Sequence, residues 1–558
     1  EFFSESKLIL IWGSNAIASS VHFWRHAQAA KRNGAKLICI DPRRSETAKL
    51  ADFHLAVRPG TDAWCLTALA AILVQEGLVA KDWLAQKTTG YARVAEVLQG
   101  ISVLDCAKTC GVDVALLRQV AERIARAKSV SMIEDLGVQM NMHSTLNSYL
   151  NRLVWLLTGH YGRPGTNNAF VPILNLSSST RETAAKGGKD NGNSKGAKVR
   201  PGAHSPVTGA KVIMGLIPCN VIPEEILTDH PNRFRAMFIE SSNPVHSLAD
   251  SQRMRQALRA LDISVVIDVA MTETARQADY VLPATSQFEK AEATFFNVEF
   301  PRNGFHLRQP LFPPRAGTLS EAEIHARLVE SLGELDDAQY RFLRRAARWG
   351  RTAFGLAFAW KASRDKKIAR YAPVVLYRTL GETLPAGFAP AASLWGISQL
   401  FVRNQRAAAA GAGFGGSVLA AGNKLFDAII TKPSGVIYAV SEYTDSWRAV
   451  RLPDHKINLC IDEMLTELET LNSKLPPQDT EYPFVLSAGE RRSDTSNTSI
   501  RDASWHHRGA FGTLRMHPED AQKIGCKEGD WVRMSTRRGS AEAEVELGEV
   551  TKRDSVIT

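Results

Sequence analysis

Short apolar runs that end on small or acidic residues recur along the chain, and they predict buried parallel strands. One such run is ISVVI, residues 263–267, which stops at Asp268 and is followed by a turn. Upstream, MFIE is followed by Ser241-Ser242-Asn243-Pro244. Runs rich in β-branched residues are typical of strands covered on both faces, which present ligands at their carboxyl ends. The pattern therefore predicts strand, turn, helix and strand, half of a nucleotide-binding fold.

The same pattern occurs earlier in the chain. LILIWGSN, residues 8–15, matches the turn at Ser242-Asn243, and Asp41 ends the run LICI as Asp268 ends SVVI. Asn15 precedes Asp41 by 26 positions, and Asn243 precedes Asp268 by 25. The motifs that follow at matching spacing are Ser-Glu-Thr-Ala at 45–48 and Ala-Asp at 51–52, then Thr-Glu-Thr-Ala at 272–275 and Ala-Asp at 278–279. We interpret the two stretches as related Rossmann-like units of an α/β protein, each holding one nucleotide.

Each repeated position has a chemical role in this interpretation. Small residues in the turn let backbone N–H groups approach a pyrophosphate closely. The acid at the tip of the second strand, Asp41 or Asp268, accepts hydrogen bonds from ribose hydroxyls. The later acid, Asp52 or Asp279, is a candidate acceptor for the N1–H and the amino group of guanine. The alternative is that these acids only cap helices, a position that Asp favours.

The remaining patterns predict four domains. Helical periodicity over 62–77 and 112–127, a strand over 129–135 and a helix over 145–158 ended by Gly159 complete a first domain, 1–175. The second domain, 176–333, contains a Ser/Lys/Gly-rich surface loop at 177–211. Residues 334–474 are predicted to be mostly helical. Short alternating strands separated by Gly and Asp turns then predict a small β-barrel over 482–558.

Composition narrows the class of protein. The net charge of +10 favours a basic surface around a polyanionic cofactor over nucleic-acid binding, because the basic residues are spread along the chain apart from a run near Arg344–Arg351. Seven cysteines indicate no disulfide framework, and Cys106 and Cys110 have no further ligands nearby. No apolar stretch has transmembrane length. We expect a cytoplasmic protein, with a periplasmic one as the alternative, and a sequence that begins inside a larger protein.

With these motifs in view, the chain resembles the molybdopterin oxidoreductases of the dimethyl sulfoxide reductase superfamily. The resemblance is carried by the duplicated unit, by IDPR…RPGTD, LTGHYGRPG and ADYVLPATSQFEK, and by the terminal barrel. It covers residues 1–175, 210–333 and 482–558, approximately, in the family's order. It implies bis-molybdopterin guanine dinucleotide (bis-MGD) with molybdenum or tungsten, and two nucleotide-binding units related by pseudo-twofold symmetry.

The resemblance also implies cofactor contacts, residue by residue. Those for one dinucleotide are Gly13, Ser14, Asn15, Asp41, Arg43 and Asp62. Those for the other are Ser242, Asn243, Asp268, Thr272 and Asp279. In the barrel, a loop that resembles the family's pterin-contacting loop contains Gly489, Arg491, Asn497, Thr498 and Arg501; the alternative is a surface turn. One of His506 and His507 can face the cofactor, since adjacent side chains on a strand point to opposite faces.

In the family, the metal ligand and the cysteines of a [4Fe–4S] cluster lie in an N-terminal segment that this sequence lacks. We therefore expect no metal ligand within residues 1–558, a possible iron–sulfur cluster in the missing part, and no complete catalytic site in this chain alone. The expected partners are a small-molecule substrate and an electron-transfer subunit or protein, without nucleic acid.

Two residues are candidates for contact with the substrate. Formate dehydrogenases of this family carry an Arg about ten residues before the Gly that ends the helix corresponding to 145–158, where it orients formate. Counting back from Gly159 gives Tyr149, and Arg152 lies three residues later on a neighbouring helix face. The alternative for Arg152 is an exposed surface residue. His143, just before the helix, is the preferred candidate, as proton donor or orienting group.

Three functions are compatible with these features. The leading one is a bis-MGD oxidoreductase that catalyses two-electron or oxygen-atom transfer on a small substrate, with a formate dehydrogenase-like catalytic subunit as its alternative. A non-catalytic electron-transfer or structural subunit, related to the large subunit of respiratory complex I, should have eroded nucleotide motifs, whereas both copies here are intact. An NAD-dependent dehydrogenase lacks support because neither turn is a full GxGxxG.

Overall fold

The computed structural model describes residues 1–174, 204–213, 215–295, 298–473, 479–487, 513–548 and 555–557, and parallel sheets open both of its units. The described residues of Glu1–Phe170 and those from Glu442 onward form the first unit. The described residues of Val171–Ser441 form the second. Most of the surface loop predicted at 177–211 lies outside the described residues.

The first unit starts with a parallel sheet made from the predicted apolar runs. Its strands are β1 (Leu8–Trp12), β2 (Lys36–Ile40), β3 (Phe53–Leu55), the short β4 (Thr88–Thr89) and β5 (Val130–Glu134). Its helices are α1 (Ala16–Ser19), α2 (Val21–Arg32), α3 (Glu46–Leu50), α4 (Asp62–Gln75), α5 (Lys81–Lys87), α6 (Tyr91–Gln99), α7 (Val103–Cys110), α8 (Val114–Arg126), α9 (Leu136–Gln139) and α10 (Ser144–Leu157). The sheet order is β3-β2-β1-β5, all parallel.

Helix α4 forms the centre of the core of this unit. All of its residues except the last, Gln75, are buried, and it packs against α6, α7, α8 and α10. The sequence AWCLTALAAILV places apolar residues all round the helix, as expected for a helix that is enclosed on every side. The helices predicted at 62–77, 112–127 and 145–158 are confirmed as α4, α8 and α10.

The second unit combines a three-stranded parallel sheet with a large helical region. Its strands are β6 (Ala236–Glu240), β7 (Ile263–Asp268), β8 (Tyr280–Pro283), β9 (Glu292–Ala293), β10 (Arg302–Phe305), β11 (Leu307–Arg308) and, after the helices, β12 (Val436–Val440). Its helices are α11 (Ile222–Leu227), α12 (Pro244–Ser247), α13 (Ser251–Arg259), α14 (Glu321–Ser331), α15 (Asp337–Arg348), α16 (Arg351–Arg364), α17 (Lys366–Arg370), α18 (Ala372–Arg378), α19 (Ser393–Asn404), α20 (Arg406–Gly411) and α21 (Val418–Thr431). The parallel sheet has the order β6-β7-β8, and β10 pairs antiparallel with β12.

The chain then returns to the first unit. Strand β13 (Ile457–Asn458) pairs in parallel with β4, and α22 (Asp462–Ser473) follows it. The remaining elements are β14 (Val485–Ser487), β15 (Thr513–Met516), α23 (Pro518–Ile524), β16 (Trp531–Thr536), β17 (Gly539–Leu547) and β18 (Ser555–Ile557). These strands form a sheet of order β14-β18-β15-β17-β16. Within the residues described after 482 this sheet is open, and no pairing closes it into a barrel.

A buried carboxylate connects α4 to the sheet of the first unit. Asp62, the first residue of α4, is only 4% exposed. Its Oδ1 accepts a hydrogen bond from the indole Nε1 of Trp12 at 2.8 Å, and its Oδ2 accepts one from Nδ2 of Asn141. Burial raises the pKa of Asp62, and the hydrogen bonds only partly offset this effect. Ionisation of this carboxyl therefore opposes folding.

We expect the substitution Asp62→Asn to stabilise the cofactor-free protein progressively, relative to wild type, as the pH rises. A carboxyl whose pKa is raised in the folded state contributes its full stability below the ordinary pKa and loses it as the pH rises through the folded pKa. The introduced amide still accepts from Trp12. Its NH2 group can donate to Oδ1 of Asn141, a buried atom without a partner among the described residues.

The measurement is thermal denaturation of both proteins from acid to neutral pH. The melting temperature of the variant minus that of wild type should increase with pH. The exposed Asp82 provides a control, since Asp82→Asn removes the same charge without a buried site. A difference for Asp62→Asn that stays constant across this range would contradict the argument.

Candidate nucleotide-binding site

The two repeated acids occupy the same position in their sheets. Asp41 directly follows β2, and Asp268 is the last residue of β7. Oδ1 of Asp41 accepts the backbone N–H of Arg43 at 2.8 Å, and Oδ1 of Asp268 accepts that of Ala270 at 3.1 Å. Both acids are half-buried. Each therefore lies at the carboxyl edge of a parallel sheet, the edge where α/β proteins bind ligands.

The strands around these acids pair in the same register. In the first unit Leu8 lies opposite Lys36, and in the second Ala236 lies opposite Ile263. Each pair consists of residues that the sequence repeat places at corresponding positions. The next strand agrees as well, because Ile40 pairs with Leu55 as Ile267 pairs with Leu282. The repetition seen in the sequence thus extends to the backbone pairing.

An asparagine side chain fixes the turn after the first strand in each repeat. Oδ1 of Asn15 accepts hydrogen bonds from N and Oγ1 of Thr47, at 3.3 and 3.0 Å, and its Nδ2 donates to Glu46 at 2.8 Å. The same three bonds, at 3.1, 2.7 and 2.6 Å, join Asn243 to Thr274 and Glu273. The sequence analysis missed the role of these glutamates, although their recurrence in both motifs was a usable signal.

The residue two positions before each asparagine has a left-handed backbone. Gly13 has φ +58° and Ser241 has φ +50°. The N–H of Gly13 donates to the carbonyl of Ile40, and that of Ser241 donates to the carbonyl of Ile267. A Cβ atom at Gly13 would lie 2.8 Å from the backbone nitrogen of Val138. Glycine is therefore required at this turn by close packing, in addition to the backbone conformation.

The smaller polar residues of the predicted site differ in their surroundings. Ser14 is buried and its hydroxyl donates to Asp135 at 2.8 Å, whereas Ser242 is exposed. Thr272 is buried, and its Oγ1 accepts the backbone N–H of Ala275 at 3.0 Å. Among these three, only Ser242 presents its side chain to solvent, while Ser14 and Thr272 hold the turns in place.

The later acids of the repeat lie at the opposite edge of each sheet. Asp52 accepts the backbone N–H of Leu37 at 2.9 Å, and Asp279 accepts that of Ser264 at 2.7 Å. Leu37 and Ser264 belong to the first turns of β2 and β7. Ser264 precedes Asp268 by four strand residues, or about 13 Å at the usual rise of a strand. In this structure Asp279 closes the amino edge of its sheet, and we leave it out of the site proposed below.

His143 is held by a residue far away in the sequence. Its Nδ1 lies 2.6 Å from Oε1 of Glu467 on α22, and its ring packs edge-on against Trp64 at 5.6 Å between centroids. The histidine precedes α10 with φ +61°, and its side chain is 27% exposed. A histidine that is half-buried and oriented by a carboxylate has the surroundings of a positioned acid–base group. No sequence signal identified Glu467, 324 residues away.

Arg152 lies on the surface of α10. Its guanidinium donates to Glu134 at 3.2 Å and to the carbonyl of Ser148 at 2.8 Å. The Arg152 side chain is 55% exposed, whereas that of Glu134 is 12% exposed. Because the arginine is already paired and mostly solvated, its surroundings agree with the surface alternative that the sequence left open.

The predicted pterin-contacting loop lies outside the described residues, with Gly489, Arg491, Asn497, Thr498, Arg501 and both His506 and His507. In the part of the chain that the structure covers, no group of three or more His, Cys, Asp or Glu side chains is arranged to hold a metal ion. Cys106 and Cys110 are buried, and burial raises the pKa of the Cys106 thiol to about 12. Both agree with the packing role read from the sequence.

Comparison with known proteins agrees with the position of the repeated acids. A family model described as molybdopterin oxidoreductase matches residues 2–331, and one described as molydopterin dinucleotide binding domain matches residues 484–558. The F420-dependent formate dehydrogenase subunit alpha of Methanocaldococcus jannaschii is 30% identical over 60% of this chain and 48% of its own length. The assimilatory nitrate reductase catalytic subunit of Bacillus subtilis is 28% identical over 59% of this chain and 46% of its own length.

A solved structure extends the likeness to the whole fold. Acetylene hydratase from Pelobacter acetylenicus superposes with a TM-score of 0.63 at 19% identity, covering all of this chain and 71% of that protein. The aligned regions of the two sequence relatives span about half of their lengths. Since the first family model alone covers more than half of the chain, this protein belongs to the molybdopterin oxidoreductase family.

Proposed function

We propose that this chain is the dinucleotide-binding part of the catalytic subunit of a molybdenum or tungsten oxidoreductase that uses bis-MGD. The reaction class is two-electron or oxygen-atom transfer on a small substrate. One observation carries the proposal: Asp41 and Asp268 end corresponding strands, in the same register, beside asparagine-bonded turns. Two equivalent strand-end carboxylates suit a cofactor that has two equivalent nucleotides.

The polar groups at this edge fit the nucleotide part of the cofactor. Asp268 uses one oxygen for the Ala270 amide, and its other oxygen makes no hydrogen bond within the described residues, so it can accept from a ribose hydroxyl. Ser242 offers an exposed hydroxyl beside it in the sequence repeat. Gly13, Asn15, Arg43 and Asp41 would serve the other nucleotide. When bound, the metal of the cofactor supplies the redox chemistry, while the protein binds and orients it.

We further propose that the two repeats are Rossmann-like units related by pseudo-twofold symmetry. The support is their common register and their shared asparagine bonds. The division into domains at 1–175, 176–333, 334–474 and 482–558, and closure of the C-terminal sheet into a pterin-contacting barrel, are parts of the same proposal. A [4Fe–4S] cluster in a preceding segment and an electron-transfer partner remain predictions from the family resemblance.

Formate is one candidate substrate. It is favoured by relatives whose names specify formate dehydrogenase, among them the Methanocaldococcus jannaschii protein and a formate dehydrogenase of Methanococcus maripaludis aligned over 96% of this chain. A nitrate reductase and a trimethylamine-N-oxide reductase also match. Formate oxidation is therefore the second, narrower proposal within the general oxidoreductase assignment.

We expect Asp268→Asn to weaken retention of guanine dinucleotide. The substitution keeps an acceptor for the Ala270 amide but removes the charged oxygen proposed for the ribose hydroxyl. A hydrogen bond to a charged group is worth roughly 1.5–3 kcal/mol, or about a ten- to hundredfold change in affinity. The measurement is the amount of guanine nucleotide released from the purified, intact enzyme per protein chain.

Asp279→Asn is the matched control for this experiment. It makes the same chemical change in the same sheet, but at the amino edge, where the carboxylate binds Ser264. This control should lower thermal stability and leave the nucleotide content of the folded protein unchanged. Equal nucleotide content in Asp268→Asn and wild type, or equal loss in both variants, would remove the support for the strand-end site.

We expect His143→Ala to reduce substrate-dependent dye reduction by the intact enzyme strongly, and Arg152→Ala to reduce it little. A positioned acid–base group typically contributes about 10²–10⁴-fold to the rate, whereas Arg152 is an exposed residue already bonded to Glu134. Formate and nitrate should both be assayed, with metal content measured for each variant. His143→Gln serves as the conservative variant.

The opposite pattern has a clear meaning. Strong formate-dependent activity that disappears in Arg152→Ala and persists in His143→Ala would show that Arg152 orients the substrate and that His143 does not act on it. Loss of metal in His143→Ala would assign the residue to cofactor retention instead of turnover.

A further inference from the structure

The net charge of the chain is concentrated in one helical segment. Residues 341–370 contain ten of the 68 basic residues and one of the 58 acidic residues, so they account for nine of the ten net positive charges. The rest of the chain is almost neutral. This segment comprises the end of α15, all of α16 and α17, and it contains the run near Arg344–Arg351. The basic character of the protein is therefore a local property.

Most of these cations are not neutralised by neighbouring elements. Carboxylates of Asp337, Glu382, Asp427 and Glu334 pair with four of the ten, Arg341, Arg344, Arg351 and Lys367. Within the described part of the chain, the other six lie beyond salt-bridge distance of any carboxylate: Arg345, Arg348, Lys361, Arg364, Lys366 and Arg370. Asp365, the one acid of the segment, accepts the backbone N–H of Lys367. The surface therefore keeps an excess of positive charge.

Large apolar side chains are exposed on the same helices. They are Phe342 on α15 (47% exposed), Trp349 at the turn (81%), and Leu356 and Trp360 on α16 (63% and 50%). The rings of Phe342 and Trp360 lie 5.5 Å apart, and the guanidinium of Arg364 lies 4.4 Å from the Trp360 ring. Aromatic and aliphatic groups thus lie among unneutralised cations on one helical hairpin.

We propose that the α15–α16–α17 hairpin docks on the surface of an anionic phospholipid bilayer. Peripheral membrane helices combine Trp, Phe and Leu side chains, which enter the boundary between head groups and acyl chains, with Lys and Arg side chains, which remain at the phosphate level. No described helix is long and apolar enough to cross a bilayer, so the contact is with the membrane surface. An acidic protein is the other possible kind of partner, but protein interfaces are depleted in lysine and seldom centre on a projecting turn such as that of Trp349.

The test is co-sedimentation of the full chain with vesicles. One set contains phosphatidylcholine alone, and the other contains phosphatidylcholine and phosphatidylglycerol in equal parts. Wild type should sediment with the anionic vesicles only, and added salt should release it because screening weakens the attraction. Each cation near an anionic surface contributes roughly a fivefold change in partitioning.

Three variants separate the patch from general charge effects. Combined Arg345→Ser, Arg348→Ser and Lys366→Ser should lower partitioning by about a hundredfold. The matched control removes three exposed cations elsewhere, through Arg32→Ser, Lys49→Ser and Lys128→Ser, and should bind nearly as wild type does. Trp349→Ser should lower partitioning about tenfold through the lost apolar contact. Circular dichroism melting verifies that each variant is folded.

Several results would overturn the proposal. Absence of wild-type binding to anionic vesicles, equal binding to neutral vesicles, or equal loss in the patch and control variants would each do so. Immobilised polyglutamate distinguishes the remaining alternative. Patch-dependent retention on polyglutamate without vesicle binding would assign the surface to an acidic protein. None of these outcomes depends on cofactor content, so they are independent of the oxidoreductase proposal.

Discussion

The geometry of both candidate nucleotide sites depends on one asparagine carboxamide in each repeat. Asn15 and Asn243 join the turn after the first strand to the segment after the second. An amide has a donor and an acceptor, so one side chain can bind the glutamate carboxylate and the threonine N–H and hydroxyl together. Aspartate has no donor for the glutamate, and leucine has no polar atoms. In both units the bonded threonine lies six residues after the strand-end acid, so this link also limits where the acid can lie.

The local part of this arrangement was predictable from the sequence. Apolar runs identified the strands, and the common spacing from Asn15 to Asp41 and from Asn243 to Asp268 identified the repeat. These features span about thirty residues each, and they depend on short loops whose lengths the sequence gives directly. The structure adds the bonding partners, but the carboxyl-edge position of both acids follows from a strand that ends where its apolar run ends.

The position of Asp279 shows where spacing alone misleads. Its distance of eleven residues from Asp268 equals the distance from Asp41 to Asp52, which suggested a shared function. However, Asp279 directly precedes β8, and β8 runs parallel to β7. The residue before a parallel strand lies at the amino edge of the sheet, opposite to the ligand edge. The repeat was real, but the topology gives its second acid a structural bond to Ser264.

Contacts between distant segments, and the distribution of charge in space, lay beyond sequence reasoning. The pairing of His143 with Glu467 depends on how α10 packs near α22, which no local pattern encodes. Likewise, the total charge suggested a basic surface around a polyanionic cofactor. In the structure, the described turns at Asn15 and Asn243 rely on backbone groups, amides and hydroxyls, while most of the net charge belongs to α15–α17. Net charge is a sum over the chain, whereas electrostatic attraction acts over about 10 Å at moderate salt. A charge of +10 can therefore describe one helical hairpin and say nothing about the nucleotide site.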